Sequence, residues 1–230
     1  MDLLNKSVGQ IVLEQPETSA TFEKLGIDYC CGGKQSLAMA CERAGVATSQ
    51  VVEALARTPT PTTKAPPTDT LGHLIQHLLE THHVYTRAAL ETLRPLMAKV
   101  LRVHGDKHPE LAKVAELVAG LEDDLLPHLM KEERVLFPYI LALEVGGQAR
   151  APFGTVAAPI GVMNSEHEAV GDLLRSLRAT TGGYQPPEGA CTSYRALYSQ
   201  LQAFEADLHQ HIHLENNALF PRALELEATR

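Results

Sequence analysis

The chemically most informative feature of the chain is a stretch of eleven residues that occurs twice with a histidine and a glutamate at the same offsets. The copies read His-Leu-Met-Lys-Glu-Glu-Arg-Val-Leu-Phe-Pro at 128–138 and His-Ile-His-Leu-Glu-Asn-Asn-Ala-Leu-Phe-Pro at 211–221. In a helix, a spacing of four residues returns to within about 40° of the same face, so the histidine and glutamate of each copy point together. These pairs are His128 with Glu132 and His211 with Glu215. Imidazole and carboxylate groups that share a face are typical metal ligands.

Each copy is preceded by a further histidine in the helix before it. His167 continues the apolar stripe of its helix and lies 44 residues before His211. In the first helix the choice is between two neighbours: the distance of 45 residues to His128 favours His83, whereas the apolar stripe favours His82. With His83, four histidines and two glutamates converge from four helices, a set that can hold two metal ions bridged by carboxylates.

Two other interpretations of this set are less favoured. A metal-free bundle would have to bury carboxylates without a counter-charge, which is costly. A zinc site would use fewer ligands and often thiolates. Glu133 is predicted to face away from His128, while Asp124 and Glu166, which precede ligands, are predicted to line access to the metals. The remaining histidines are assigned to surface or supporting positions: His73, His77, His104, His108, His209 and His213.

The adjacent Cys30 and Cys31 form a second candidate site. They precede Gly32-Gly33, which allows close backbone approach to a partner or metal. The pair could exchange thiols, accept iron or dock on a partner protein; the alternative is a pair that only packs, as small cysteine side chains often do. Cys41 is predicted to be a core residue, and Cys191 to have a structural role.

The elements that must position these groups are predicted to be helices throughout, because Leu and Ala are abundant and Gly is concentrated at breaks. Caps and prolines place four long helices at about 70–103, 109–143, 159–181 and 191–226, which indicates an antiparallel four-helix bundle over residues 70–230. Residues 1–57 are predicted to form a small helical domain that bears the cysteines. The Pro/Thr-rich segment 58–69 is interpreted as a linker; the alternative is a surface loop within one domain.

Composition narrows the class of protein. The chain has 20 basic and 28 acidic residues, a net charge of −8, and it has no Trp, so a nucleic-acid partner is not expected. No signal peptide and no membrane-spanning run are recognised. Four cysteines without a disulfide framework favour a cytoplasmic location.

The motifs resemble the hemerythrin-like bundle, and the whole chain resembles the repair-of-iron-centres family, the ScdA-type di-iron proteins of bacteria. The bundle resemblance rests on His-His-x-x-x-Arg at 82–87, His-Leu-Met-Lys-Glu-Glu at 128–133, Ser-Glu-His-Glu at 165–168 and His-x-His-Leu-Glu-Asn-Asn-x-Leu-Phe-Pro at 211–221. Asp28-Tyr-Cys-Cys-Gly-Gly-Lys-Gln35 resembles the family's short cysteine-bearing domain. The resemblance also selects His83 over His82.

Carried over to this chain, the resemblance implies two non-haem irons with an oxo or hydroxo bridge and a carboxylate bridge. Their ligands would be His83, His128, Glu132, His167, His211 and Glu215. The implied role is the repair of iron–sulfur clusters damaged by oxidative or nitrosative stress, by iron supply, nitric oxide handling or both. Damaged iron–sulfur proteins and nitric oxide or O₂ would be the partners, and pairing of two copies is left open. The pattern of hemerythrin oxygen carriers has five histidines, whereas this chain supplies four. This difference argues against O₂ storage.

Two other functions share the same metal site. One is a di-iron enzyme of the nitric oxide reductase type, which reduces nitric oxide or O₂. The other is a module that binds or senses a diatomic gas or iron. The cysteine pair favours repair, because a gas carrier has no need of a thiol domain.

Overall fold

The computed structural model describes residues 3–58, 66, 69–146 and 153–229. Within these ranges the regular secondary structure is helical apart from one isolated bridge between Ser7 and Ser36, so the all-α prediction is confirmed. Most of the predicted linker, 58–69, lies outside the described residues. In the part of the chain that is described, no helix combines the length and the apolar character needed to cross a membrane.

Three of the four predicted long segments contain a π-helical turn, a feature that was not predicted from the sequence; the third segment forms an uninterrupted α-helix. The described α-helices are α1 Val8–Glu14, α2 Thr18–Leu25, α3 Leu37–Ala44, α4 Thr48–Ala56, α5 Leu71–His77, α6 Val84–His104, α7 Glu110–Lys131, α8 Phe137–Glu144, α9 Ala157–Thr180, α10 Thr192–Leu214 and α11 Phe220–Ala228. The first, second and third π turns are Leu78–His83, Glu132–Leu136 and Glu215–Leu219. Each of them contains one of the predicted ligands, and such turns are often found at functional sites.

The chain divides into two compact units. Unit 1 comprises Met1–His77, Tyr139–Ala158 and His209–Arg230, and unit 2 comprises Leu78–Pro138 and Pro159–Leu208. Unit 1 thus joins the N-terminal segment to two later segments, whereas each predicted domain is continuous in sequence. The ranges 1–57, 58–69 and 70–230 stay a prediction.

Unit 2 contains α6, α7 and most of α9 and α10, and pairs of side chains between helices define the directions of α6, α7 and α10. Arg87 pairs with Glu133 and Arg94 with Glu122, so α6 and the α7 segment run antiparallel. Between α6 and α10, His104 lies 3.2 Å from Cys191 near one end, and His82, in the turn before α6, lies 3.0 Å from Asp207 near the other. These pairs confirm the predicted antiparallel arrangement for the helices they join.

In unit 1, α1 to α4 enclose a core of their own. Eleven residues make up this core: Val8, Ile11, Val12, Phe22, Ile27, Tyr29, Leu37, Ala40, Cys41, Val51 and Leu55. The helix ends follow the expected signals, since Ser36 Oγ accepts from the backbone of Met39 and Gly45 ends α3 with a φ of 68°. The cysteine pair lies in the loop between α2 and α3, which is not helical.

The start of α5 is capped by a side chain from a distant part of the chain. Glu144, at the end of α8, accepts hydrogen bonds from the backbone of Leu71 at 2.7 Å and of Gly72 at 2.8 Å. Thr70 Oγ1 accepts from the backbone of His73. A carboxylate at a helix N-terminus satisfies free N–H groups and interacts favourably with the helix dipole, and a residue more than seventy positions away can supply it only through the tertiary fold.

Candidate metal centre

Unit 2 brings four of the predicted ligands together in its interior. His83 ends the first π turn, His128 lies in the last turns of α7, Glu132 begins the second π turn, and His167 lies on α9. Their relative exposures are 2%, 3%, 0% and 2%. Burial of four polar side chains at one level of a helical bundle is expensive unless they share a partner, so this level is the first candidate for a site.

The imidazole Nε2 atoms of these histidines converge on the Glu132 carboxylate and on one another. His83 Nε2 and His128 Nε2 each lie 3.4 Å from Glu132 Oε2. His128 Nε2 and His167 Nε2 are 3.2 Å apart. The ligand atoms of His128, Glu132 and His167 all lie within 4.8 Å of one another, a spacing at which they could bind a single ion.

Two further carboxylates lie behind the histidines and orient them. His83 donates from Nδ1 to Glu133 Oε1 at 2.9 Å, and His128 donates from Nδ1 to Glu166 Oε2 at 2.9 Å. Arg87 also donates to Glu133, and Lys131 pairs with Glu166. Such carboxylate–histidine pairs commonly hold metal-binding imidazoles in position.

The charge of these outer carboxylates is maintained by their neighbours. Partial burial acts to raise the pKa of Glu133, but the hydrogen bonds from His83 and Arg87 outweigh it, and the pKa lies below its usual value. Burial likewise acts to raise the pKa of Glu166, and Lys131 and His128 lower it. Both groups are therefore acceptors at neutral pH and keep the proton of the neutral imidazole on Nδ1.

This tautomer makes the donor set fit a cation. With the proton on Nδ1, the Nε2 atoms of His83 and His128 present lone pairs to the Glu132 carboxylate, which is itself only an acceptor when ionised. Acceptors that face each other across 3.4 Å repel unless a positive group lies between them. Imidazole nitrogens and a carboxylate oxygen suit iron and other borderline divalent metals.

Unit 1 holds the second copy of the repeat in the same local geometry. His211 Nε2 lies 3.1 Å from Glu215 Oε1, and the two side chains are 1% and 0% exposed. Glu215 begins the third π turn, as Glu132 begins the second. The repeat in sequence is therefore a repeat in backbone conformation as well.

The other candidates fall outside these groups. His82 is buried but pairs with Asp207 rather than with Glu132. Asp124 is exposed on α7. His209 pairs with Glu23, and His213, predicted at the surface or in support of the ligands, is 2% exposed and contacts Tyr29. Glu133 was predicted to face away from His128, and in the structure it accepts a hydrogen bond from His83. In the sequence, its position directly after the ligand Glu132 could have indicated such a supporting role.

The cysteine pair lies in a loop organised by Asp28. Asp28 Oδ1 accepts hydrogen bonds from the backbone of Cys30 at 3.1 Å and of Cys31 at 3.0 Å, and the Cys30 thiol donates to it at 3.3 Å. The two sulfur atoms are 3.9 Å apart, and ligand atoms of the three residues lie within 4.8 Å of one another. Cys30 is 6% exposed and Cys31 is half-buried, so Cys31 is the thiol that a reagent or partner reaches first.

The environment keeps Cys30 protonated. Its hydrogen bond with Cys31, burial and the charge of Asp28 raise the pKa of the Cys30 thiol well above its usual value. Cys30 would therefore become a thiolate only when a cation or thiophilic partner displaces its proton. The pair combines an accessible sulfur with a buried, protonated one.

We expect Glu133→Gln and Glu166→Gln each to weaken metal binding by about 10- to 100-fold, because a neutral amide orients the imidazole less strongly and lowers its basicity. Competition against a chelator of known affinity measures this change. Glu168→Gln is the matched control, since Glu168 is exposed beside His167 on α9. Equal affinities for all three variants would show that the outer carboxylates do not act on the histidines.

We expect iodoacetamide to modify Cys31 before Cys30 at pH 7.5, and the pH midpoint for Cys30 to lie above that of Cys30 in the urea-unfolded chain. The raised pKa leaves little thiolate at Cys30 until the pH exceeds its ordinary pKa. Mass spectrometry of each peptide over a pH series measures both effects, in a Cys191→Ser background because Cys191 is exposed. A native midpoint for Cys30 below the unfolded one would contradict the described loop.

Two family descriptions match the chain. The hemerythrin HHE cation binding domain matches residues 74–223 and therefore spans all six predicted ligands. A domain of unknown function, named for the N-terminus of ScdA, matches residues 4–58.

Curated relatives match over almost the whole length. The chain is 40% identical to the iron–sulfur cluster repair protein YtfE of Cronobacter sakazakii, over 97% of this chain and 98% of the relative. It is 39% identical to the protein of that name from an Enterobacter species, over 97% and 99%. For the Escherichia coli O1:K1 protein of that name, the identity is 38%, over 96% and 97%.

Proposed function

Because the chain belongs to the family of YtfE-type iron–sulfur cluster repair proteins and contains a hemerythrin-type cation-binding domain, we propose that it binds two irons and helps restore damaged iron–sulfur clusters. The observation that carries the proposal is similarity over 97% of the chain, which includes the metal-ligand and the cysteine segments together. A module related only through its bundle would support metal binding alone.

The proposed iron centre uses the six predicted ligands: His83, His128, Glu132, His167, His211 and Glu215. Two kinds of observation support it. The first is the local geometry of each half, in which an imidazole Nε2 lies 3.1–3.4 Å from a carboxylate oxygen of the same repeat copy. The second is the family domain that covers all six positions. The two glutamates would bridge the metals, and the centre when loaded would bind small molecules such as nitric oxide or O₂ and exchange electrons.

The proposed role of the bundle is to bind iron weakly enough that the iron can be released. Histidine and carboxylate ligands hold iron less tightly than a cage of thiolates, and their affinity falls when iron is reduced to the ferrous state. Iron–sulfur clusters are themselves held by thiolates, so iron transferred to a damaged cluster moves toward the stronger set of ligands. The proposed clients are cytoplasmic iron–sulfur proteins damaged by oxidative or nitrosative stress.

The proposed role of the cysteine pair is to direct this chemistry to the client. Cys31 is accessible, and Cys30 lies 3.9 Å away with its proton still in place. A thiophilic partner such as a damaged cluster could bind Cys31 first and then recruit Cys30. The cysteine pair favours repair over the two alternative functions. Neither the reduction of nitric oxide or O₂ nor the sensing of a gas needs a thiol loop.

Repair of a damaged client tests the proposal directly. The iron-loaded protein would be mixed with an enzyme whose cluster has been damaged by nitric oxide, and the recovery of that enzyme's activity would be followed. We expect recovery with the wild type and with Glu168→Ala, and none with Glu132→Ala. Catalytic conversion of nitric oxide to nitrous oxide without recovery of the client would favour the reductase alternative.

A further inference from the structure

Among the positions at which the two copies of the repeat differ, two lie on one helix face and are not used by the proposed iron site. Two and six residues after the first histidine, copy one has Met130 and Arg134, whereas copy two has His213 and Asn217. Such positions share a helix face, since they are four residues apart. In copy one this face is exposed, with Met130 at 41%. In copy two His213 is 2% exposed and Asn217 is half-buried.

The face of copy two binds the backbone of the cysteine loop. Asn217 Nδ2 donates to the carbonyl of Cys30 at 3.0 Å and lies 3.4 Å from the carbonyl of Tyr29. His213 Nδ1 donates to the same Tyr29 carbonyl at 3.2 Å, and its ring lies edge-on to the Tyr29 ring with centroids 5.4 Å apart. Because a carbonyl oxygen only accepts hydrogen bonds, the His213 ring carries its N–H on Nδ1 in this contact.

Two glycines, Gly9 and Gly33, pack directly against the Asn217 amide. A Cβ atom on Gly33 would lie 2.6 Å from Asn217 Nδ2, and one on Gly9 would lie 2.7 Å from Asn217 Oδ1. The glycines are themselves joined by a hydrogen bond from Gly9 N to the Gly33 carbonyl at 2.8 Å. The amide is thus enclosed by main chain, a fit that only residues without a Cβ allow.

We propose that His213 and Asn217 form a latch on the cysteine loop, in which Asn217 is the positioning residue for Cys30 and Cys31. The loop segment at Tyr29 and Cys30 lies outside any helix, and the latch provides fixed donors for its carbonyls. Asn217 belongs to the same π turn as Glu215, two residues away, so the thiol loop is fastened to the turn that carries a proposed iron ligand. The functional consequence rests on the function proposed above; the latch itself does not.

The rate at which iodoacetamide modifies each cysteine of the iron-loaded, full-length chain tests the latch. In Asn217→Ala we expect Cys30 to react about tenfold faster, because opening of the loop no longer breaks hydrogen bonds to the amide. Asn217→Asp should give the same result, since it keeps the side-chain shape but removes both N–H donors. Arg134→Ala, at the equivalent position of copy one, should leave the rate unchanged.

Cys41 and the iron content separate a latch from general loosening. Cys41 is fully buried in the core of α1 to α4, so it should stay unreactive if only the loop opens. Iron content should stay at the wild-type value. An unchanged rate for Cys30 in both Asn217 variants would overturn the latch, and so would an equal acceleration of Cys30 and Cys41. Faster labelling of Cys30 with undiminished client repair would support the latch and count against the thiol role in the proposed function.

Discussion

Glu132→Leu and Glu215→Leu are expected to lower bound iron from about two atoms per chain to fewer than one, because each removes a carboxylate that would bridge both metals. The loss should exceed that in Glu133→Leu, where only the support of His83 is removed. Metal analysis after loading with ferrous iron under anaerobic conditions measures all three. One zinc per chain in the wild type would instead contradict the di-iron proposal.

The same variants distinguish a lost ligand from a damaged fold. Leucine has nearly the volume of glutamate, and a buried carboxylate is costly when no metal neutralises it. Metal-free Glu132→Leu is therefore expected to unfold at a temperature no lower than metal-free wild type. Iron should raise the unfolding temperature of the wild type only, because a ligand that binds the native state stabilises it. A strongly lowered midpoint in the metal-free variant would attribute its iron loss to misfolding.

The double substitution Cys30→Ala/Cys31→Ala is expected to leave the iron content and the absorption spectrum of the bound iron unchanged but to slow client repair by about tenfold or more. The reason is that the thiols would act on the client rather than on the bound metal. His128→Ala should lose both iron and repair. Iron analysis, absorption spectroscopy and recovery of the client's activity follow the two functions in parallel.

Cys191→Ser is the matched control for the double substitution, because Cys191 is an exposed thiol at the start of α10. It should repair the client at the wild-type rate. If the double variant also repairs at that rate, the thiol half of the proposal is wrong, and the bundle would have to act alone as an iron source or as a scavenger of nitric oxide.

The predicted ligand set required little beyond the helical repeat. The four-residue spacing of His128 and Glu132, repeated at His211 and Glu215, places each pair on one helix face whatever the helix packs against. The sequence signals for the helix ends at Ser36 and Gly45 are also local, because a capping hydroxyl and a left-handed glycine act within a single turn. The choice of His83 over His82 was different: periodicity left it open, and it depended on a family resemblance.

The N-terminal boundary shows where this local reasoning stops. Proline and threonine content marks 58–69 as a break in regular structure, but it cannot say which later segments the N-terminal residues pack with. Unit 1 includes residues 209–230, which carry His213 and Asn217. A division based only on the order of residues along the chain had no means to predict that grouping, because contacts between distant segments depend on complementary shape and on hydrogen-bond partners.

From the sequence alone came the all-α class, five of the six candidate ligands and the cysteine pair, because side-chain chemistry and helical periodicity are local properties; the sixth ligand, His83, was selected by a family resemblance. The tertiary structure decided which carboxylate supports which histidine: Glu133 follows a ligand on its own segment, whereas Glu166 reaches His128 from α9. It also decided the π turns, the hydrogen bond with Cys31 and the burial that raise the pKa of Cys30, and the contact of Asn217 with the cysteine loop. Each of these depends on how one helix is rotated and staggered against another, and spacing within a single helix does not contain that information.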